Sequence, residues 1–228
     1  MVSSPGTNEV DIFAGGSLIS LSVGAGNTNI PLLKLGDVNS DGISDVGIVA
    51  DNKIYVYDGS TGVTAVGGPN FTIQTVTGGT VVNGGTIGDF NGDGKDDLGV
   101  IFANGTHADI YVVYGGTLSG GATVSENWLN NTHNAFHMTL DGTTASDLNG
   151  MYITSAGDMN GDGLGDLAIA MPNLDNGGSP SGDGSVFIVY GQAIGTANFL
   201  MSCTPATHSV RSKYFAAESP PSCRLRAL

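Results

Sequence analysis

Residues Gly36–Asp45 read GDVNSDGISD, and the same frame returns as GDFNGDGKDD at Gly88–Asp97 and GDMNGDGLGD at Gly157–Asp166. Each stretch sets acids and an asparagine at alternate positions, where their charges repel. The intervening residues change while the spacing persists, so the spacing answers a requirement. Counted from the first aspartate, positions 1, 3, 5 and 9 are Asp37, Asn39, Asp41 and Asp45 in the first copy. They are Asp89, Asn91, Asp93 and Asp97 in the second, and Asp158, Asn160, Asp162 and Asp166 in the third. Position 6 is always glycine.

Hard oxygen donors at alternate positions, with a glycine where the chain turns, are what a calcium site demands. Position 7 (Ile43, Lys95 and Leu164) has no suitable side chain, so its backbone carbonyl is the expected donor there. The count implied is about three calcium ions, one per loop. Magnesium, which keeps more of its waters and uses fewer carboxylates, fits less well. An EF-hand starts alike but needs a bidentate Glu at position 12 and flanking helices. Position 12 is Ile48, Val100 and Ile169, inside apolar runs. The simpler alternative is an Asx-turn, since Asp, Asn and Gly build turns without metal.

Around the loops the pattern is that of strands. The runs 46–50, 98–102 and 167–171 are apolar and too short for helices. Each is followed by a second run with a tyrosine near its end, at 53–57, 109–115 and 185–191. One unit is therefore strand, acidic loop, strand, turn, strand and a variable connection. Alternation is imperfect, which predicts burial of both faces. Aligned on the first loop aspartate, the units lie 52 and 69 residues apart (37 to 89, 89 to 158). The division expected is 1–15 as the closing strand of a truncated blade, 16–200 as three calcium-binding repeats, and 201–228 as an atypical tail, disordered or artefactual.

These residues resemble the FG-GAP repeat of integrin α-subunit β-propellers and many bacterial surface proteins. Ala170-Met171-Pro172 stands in the place of Gly-Ala-Pro, and Tyr190-Gly191 in the place of Phe-Gly. Unit two keeps Tyr114-Gly115, whereas unit one ends Tyr57-Asp58, so the namesake motifs are degenerate and the loops intact. The resemblance covers roughly residues 10 to 195. It implies an all-β fold of β-propeller blades, with calcium held at the blade edges. Propellers need four blades or more, so three units make an incomplete one. The remaining blades are expected from a longer parent chain or another copy.

Composition narrows the function. The 228 residues hold 21 acidic and seven basic side chains, a net charge of −14, and nine of the acids occupy positions 1, 5 and 9 of the loops. Seven cations cannot meet many phosphates, so nucleic acid is not an expected partner. No apolar stretch reaches the 18 residues of a membrane span. Met1–Pro5 has neither the basic start nor the apolar run of a signal peptide, so secretion would imply a longer precursor. Both cysteines (Cys203 and Cys223) and four of the seven basic residues fall in the tail, which reads either as a docking tail or as a reading-frame artefact.

The reading is a calcium-binding scaffold of an extracellular or cell-surface protein, serving adhesion or recognition of a protein or glycan. The alternative is a non-catalytic accessory module or part of a secreted lyase or hydrolase; a structural spacer is a third reading. No nucleophile elbow, HExxH or P-loop occurs, and no enzymatic activity is expected of the chain. Between units two and three, Trp128 reads equally as a contact or a core residue. His133 and His137 read as packing or loop residues ahead of a metal pair.

Overall fold

The structure, a computed structural model, describes residues 2–4, 9–14, 17–22, 31–59, 69–74, 79–105, 107–117, 123–131, 133–141, 147–174, 184–193, 199–203, 213–215 and 223–227. These are strands and turns apart from one helical turn, α1 (Glu126–Leu129), so the fold is all-β. The first sheet holds β1 (Val2–Ser4), β2 (Glu9–Ala14) and β3 (Ser17–Ser22), paired antiparallel in that order. The closing strand expected within 1–15 is thus one of three.

The second sheet runs β4 (Leu32–Gly36), β5 (Asp45–Ala50), β6 (Lys53–Tyr57) and β7 (Phe71–Ile73), each antiparallel to the last. A short β11 (Thr123–Val124) lies parallel against β7. The third repeats this meander with β8 (Thr80–Gly88), β9 (Asp97–Asn104), β10 (His107–Val113) and β12 (Ala135–Asp141). The fourth holds β13 (Tyr152–Gly157), β14 (Asp166–Met171) and β15 (Ser185–Val189). The order strand, loop, strand, turn, strand therefore holds in all three units. Beyond residue 200, β16 (Phe199–Cys203) and β18 (Cys223–Ala227) extend the third sheet. In the fourth sheet β17 (Lys213–Phe215) lies parallel to β15. Among the described residues every sheet is open.

Each first strand ends in the same irregularity. The register slips between Lys34 and Gly36, between Thr86 and Gly88, and between Ser155 and Gly157. All three glycines adopt positive φ, at 65°, 79° and 71°. A β-bulge with a left-handed residue suits glycine, which has no Cβ to clash there. This is why glycine precedes every loop.

The sheets lie against one another. Strand β8 is flanked by β4 on one side and β13 on the other. Along β9, Leu98, Val100 and Phe102 pack with Leu33, Leu35, Ile54 and Val56 of the second sheet. Its Ile101 joins Ile153, Ile169 and Phe187 of the fourth. All of these are buried, so the third sheet is covered on both faces, which accounts for its imperfect alternation. On the far side of the second sheet, Val10 packs with Ile48, Ala50 and Tyr57.

Close approach is bought by small residues. Gly99 sits under β13, and a Cβ there would lie 2.7 Å from the Cδ1 of Ile153 and 3.0 Å from the Cγ2 of Ile87. Its cross-strand partner Gly85 has nothing within 4 Å of the equivalent point. Gly99→Val should therefore overpack the interface and cost about 1–3 kcal/mol. Gly85→Val should change stability by no more than about 0.5 kcal/mol, since a β-branched residue suits a strand. Urea-unfolding midpoints of the two variants test the contrast.

Candidate functional site

The acidic loops join the first and second strands of their units, so all three occupy corresponding corners of neighbouring sheets. Alternate oxygens fold back on the loop's own amides, as Asp and Asn side chains do in turns. In the first loop the Asp37 carboxylate accepts from the amides of Asp41 (3.0 Å) and Gly42 (2.8 Å). Asp89 accepts from Gly92, Asp93 and Gly94 at 2.7, 3.0 and 2.8 Å. Asp158 accepts from Gly161, Asp162 and Gly163 at 2.7, 3.2 and 2.9 Å. The amide of Gly163, followed by those of Gly161, Asp162 and Asn160, holds the Asp158 carboxyl below the usual carboxylate range.

Positions 3 and 5 repeat equally closely. The Oδ1 of Asn39, Asn91 and Asn160 accepts from the amide two residues on, at 3.0, 2.8 and 3.0 Å. Their Nδ2 groups donate to Asp41, Asp93 and Asp162 at 3.0, 3.3 and 2.8 Å. Those aspartates accept from the amides of Ile43, Lys95 and Leu164, at 2.8, 3.0 and 2.8 Å. Position 7 thus meets each loop through its backbone. The glycines at position 6 all have positive φ (90°, 82° and 90°), the sharp turn that the spacing predicts.

Position 9 does something different. Asp45, Asp97 and Asp166 are buried, and each carboxylate spans two chain segments. One oxygen accepts from position 2 of the loop, at Val38 (3.0 Å), Phe90 (2.8 Å) and Met159 (2.6 Å). The other accepts from a glycine just past the third strand: Gly59 (2.9 Å), Gly115 (2.7 Å) and Gly191 (2.9 Å). Burial pushes the Asp97 carboxyl up to about 7, against the pull of the Gly115, Phe90 and Asn91 amides. Asp45 is raised by the same cause.

The structure therefore brings Asp, Asn and Asp of positions 1, 3 and 5 together three times. That oxygen set fits a hard cation such as calcium. Only two of its members are carboxylates, and among the described residues no group of three or more His, Cys, Asp and Glu is arranged to hold a metal ion. The fourth predicted side-chain donor, at position 9, is engaged as a strut between backbone segments.

Two features escaped the sequence reading. Gly59, offset by Asp58 from its tyrosine, is the counterpart of Gly115 and Gly191. The available signal was a glycine shortly after each third-strand tyrosine. The loops are also tied to the following unit: Gly116 donates to the carbonyl of Val38 (2.7 Å), and Gln192, its counterpart, to that of Phe90 (2.9 Å). The amide of Asp37 donates to the Asp96 carboxylate of the second loop (3.2 Å).

Elsewhere, His137 stacks on Tyr111 with ring centres 4.2 Å apart and places Nε2 3.1 Å from Asp109. His133 sits exposed in the preceding turn. Trp128 is half-buried against the core shared by the second and third sheets. No helix among the described residues is long and apolar enough to cross a membrane. No protein-family model matches the sequence, and no curated protein matches it.

Two predictions test these anchors. A Cβ on Gly115 would lie 2.4 Å from the backbone oxygen of Asp96. Gly115→Ala should break the contact with Asp97 and cost about 1–3 kcal/mol, read from chemical denaturation. At Asp109, burial raises the carboxyl, but hydrogen bonds from His137 and Thr139 and the nearby histidines outweigh it. The net position is below 3.8. A depressed acid stabilises the fold above its unfolded pKa and loses that contribution as pH falls through its folded pKa. The stability gap between the native chain and Asp109→Asn should therefore shrink as pH falls from about 5 to about 3.

Proposed function

We propose that this chain is a calcium-stabilised scaffold of β-propeller blades, working outside the cell or on its surface in adhesion or ligand recognition. The observation that carries the reading is the threefold recurrence of one oxygen arrangement, Asp-Asn-Asp, at corresponding corners of neighbouring sheets. Turns need no such uniformity, whereas a cation requires the same donors each time. Asp37, Asn39 and Asp41, with Asp89, Asn91 and Asp93 and with Asp158, Asn160 and Asp162, would hold the ions. The carbonyls of Ile43, Lys95 and Leu164 and the carboxylates of Asp45, Asp97 and Asp166 complete the proposed sets. Bound calcium supplies positive charge against clustered carboxylates and no chemistry of its own.

The stacking of four sheets, with first strands β4, β8 and β13 side by side, supports the blade reading. Recognition is the role proposed for the surface away from the loops. A cleft of about 350 Å³ opens there between the third and fourth sheets, lined by Thr80, Val82, Ala103, Leu148 and Met151 among others. It lies at the strand ends opposite the loops, and a volume of a few hundred Å³ is in the range of ligand pockets. The partner class proposed is a protein or glycan met outside the cell.

Calcium titration with thermal melting tests the reading. Extracellular calcium modules bind with Kd values of about 0.1–1 mM. At about 1 mM calcium, linkage gives about 0.4–1.4 kcal/mol per site, or about 1–4 kcal/mol for three. Asp41→Ala, Asp93→Ala and Asp162→Ala should each remove one site's share of the shift, and Asp51→Ala none. Magnesium should do much less. A melting temperature that calcium leaves unchanged, in metal-free protein, would show that the loops are turns alone.

A further inference from the structure

The two cysteines of the chain, Cys203 and Cys223, fall on β16 and β18. The antiparallel register of these strands sets them directly opposite each other, as the last pair of a ladder that begins at Phe199 and Ala227. Opposite residues of an antiparallel pair stand about 4.5 or about 5.5 Å apart from Cα to Cα, according to the kind of pair. A disulfide spans about 4.4–6.8 Å between the same atoms. Either kind of pair therefore brings the two residues to bonding distance without a shift of either strand. The register is also specified. Phe199, Met201 and Cys203 stand opposite Ala227, Leu225 and Cys223, while Leu200 and Ser202 stand opposite Arg226 and Arg224. A slip of one residue would set the arginines against the apolar row.

Between the cysteines the chain makes an excursion. Strand β16 lies on β12 of the third sheet, but β17 joins the fourth, pairing Lys213, Tyr214 and Phe215 with Phe187, Ile188 and Val189 of β15. The chain then returns to the third sheet as β18. We propose that Cys203 and Cys223 form a disulfide, and that the loop it closes is a redox-dependent strap joining the third and fourth sheets. Strands β17 and β18 are the outermost strands of their sheets, each paired on one side only. Such strands are the first to be lost in local opening. Closing the loop narrows the freedom of the opened chain, which favours both pairings together.

Thiol–disulfide exchange with a small disulfide, such as oxidised glutathione, supplies the chemistry. One cysteine thiolate attacks the small disulfide and releases one thiol. The second thiolate attacks the protein sulfur of the mixed disulfide and releases the other. The protein gives up two electrons and two protons, and the small disulfide becomes two thiols. An oxidising exterior is the setting in which such a bond persists.

The full chain, equilibrated with oxidised and reduced glutathione, tests the bond. Once denatured it should show no free thiol and weigh about 2 Da less than the reduced chain. Trypsin cuts after Arg211 and Lys213, so the two cysteine peptides should stay joined until reductant is added. Hydrogen exchange tests the strap. Residues 185–189 and 213–215 should exchange at least about tenfold faster in Cys203→Ser with Cys223→Ser than in the oxidised chain, with β9 unchanged. If the double variant does not fold, the native chain held in reductant gives the same comparison. Two free thiols after equilibration, or a bond formed only between separate chains, overturns the proposal. A 203–223 bond whose loss leaves exchange in β15 and β17 unchanged overturns the strap. None of these outcomes depends on whether the loops hold calcium.

Discussion

A buried carboxylate at the start of each second strand holds the units together. Asp45, Asp97 and Asp166 each reach across to backbone amides in the loop and on the glycine beyond the third strand, Asp97 taking two in the loop, at Phe90 and Asn91. Burying a carboxylate is costly unless its oxygens are satisfied, and here bonds from amides offset part of that cost, burial still holding Asp45 and Asp97 above the usual carboxylate range. Asparagine has one acceptor oxygen and would turn an NH₂ group against an amide. Aspartate, with acceptors on both sides, joins three strand ends with one side chain. The glycine is a condition of that join, because a Cβ on Gly59, Gly115 or Gly191 would strike backbone or loop atoms within 3 Å.

The clamp also sets how one unit meets the next. With position 2 pinned by the closing aspartate, its carbonyl accepts the amide just after the glycine of the following unit, at Gly116 and again at Gln192. Its side chain, Val38 or Phe90, is buried by the same neighbour. One carboxylate therefore fixes a hydrogen bond and an apolar contact between sheets, besides closing its own loop. Stacked repeats of this kind draw stability from intrinsic and nearest-neighbour terms together.

The loops and the strands around them were legible because their determinants are local. A glycine before the first aspartate, a glycine at position 6 and alternating oxygens each act within ten residues. The two-faced burial of β10 was legible from the imperfect alternation of 109–115. The dual role of position 9 was not, since Asp97 reads as one more ligand until Gly115, eighteen residues away, is seen to donate to it. Trp128 and His137 were undecided for the same reason: their surroundings come from other strands. The pairing of β16 and β18 onto the third sheet also depends on long-range registers that carry no local signature, whereas the two added strands of the first sheet pair with near neighbours in the chain.

Turn and metal site are usually set against each other as readings of such loops, yet the turn seen here does not stand against the calcium proposed above. Amides of Asp41 and Gly42, and their counterparts, already hold Asp37, Asp89 and Asp158 in place. A carboxylate oxygen has a second lone pair, so an amide bond leaves it able to meet a cation. For the proposed ion, the ordering cost of assembling the donors would already be met by the fold, and the gain would be neutralised repulsion. The same division of labour explains why position 9 is buried while positions 1 and 5 stand nearer solvent. The inner carboxylate anchors the backbone, and the outer ones, on a loop so anchored, are left nearer solvent.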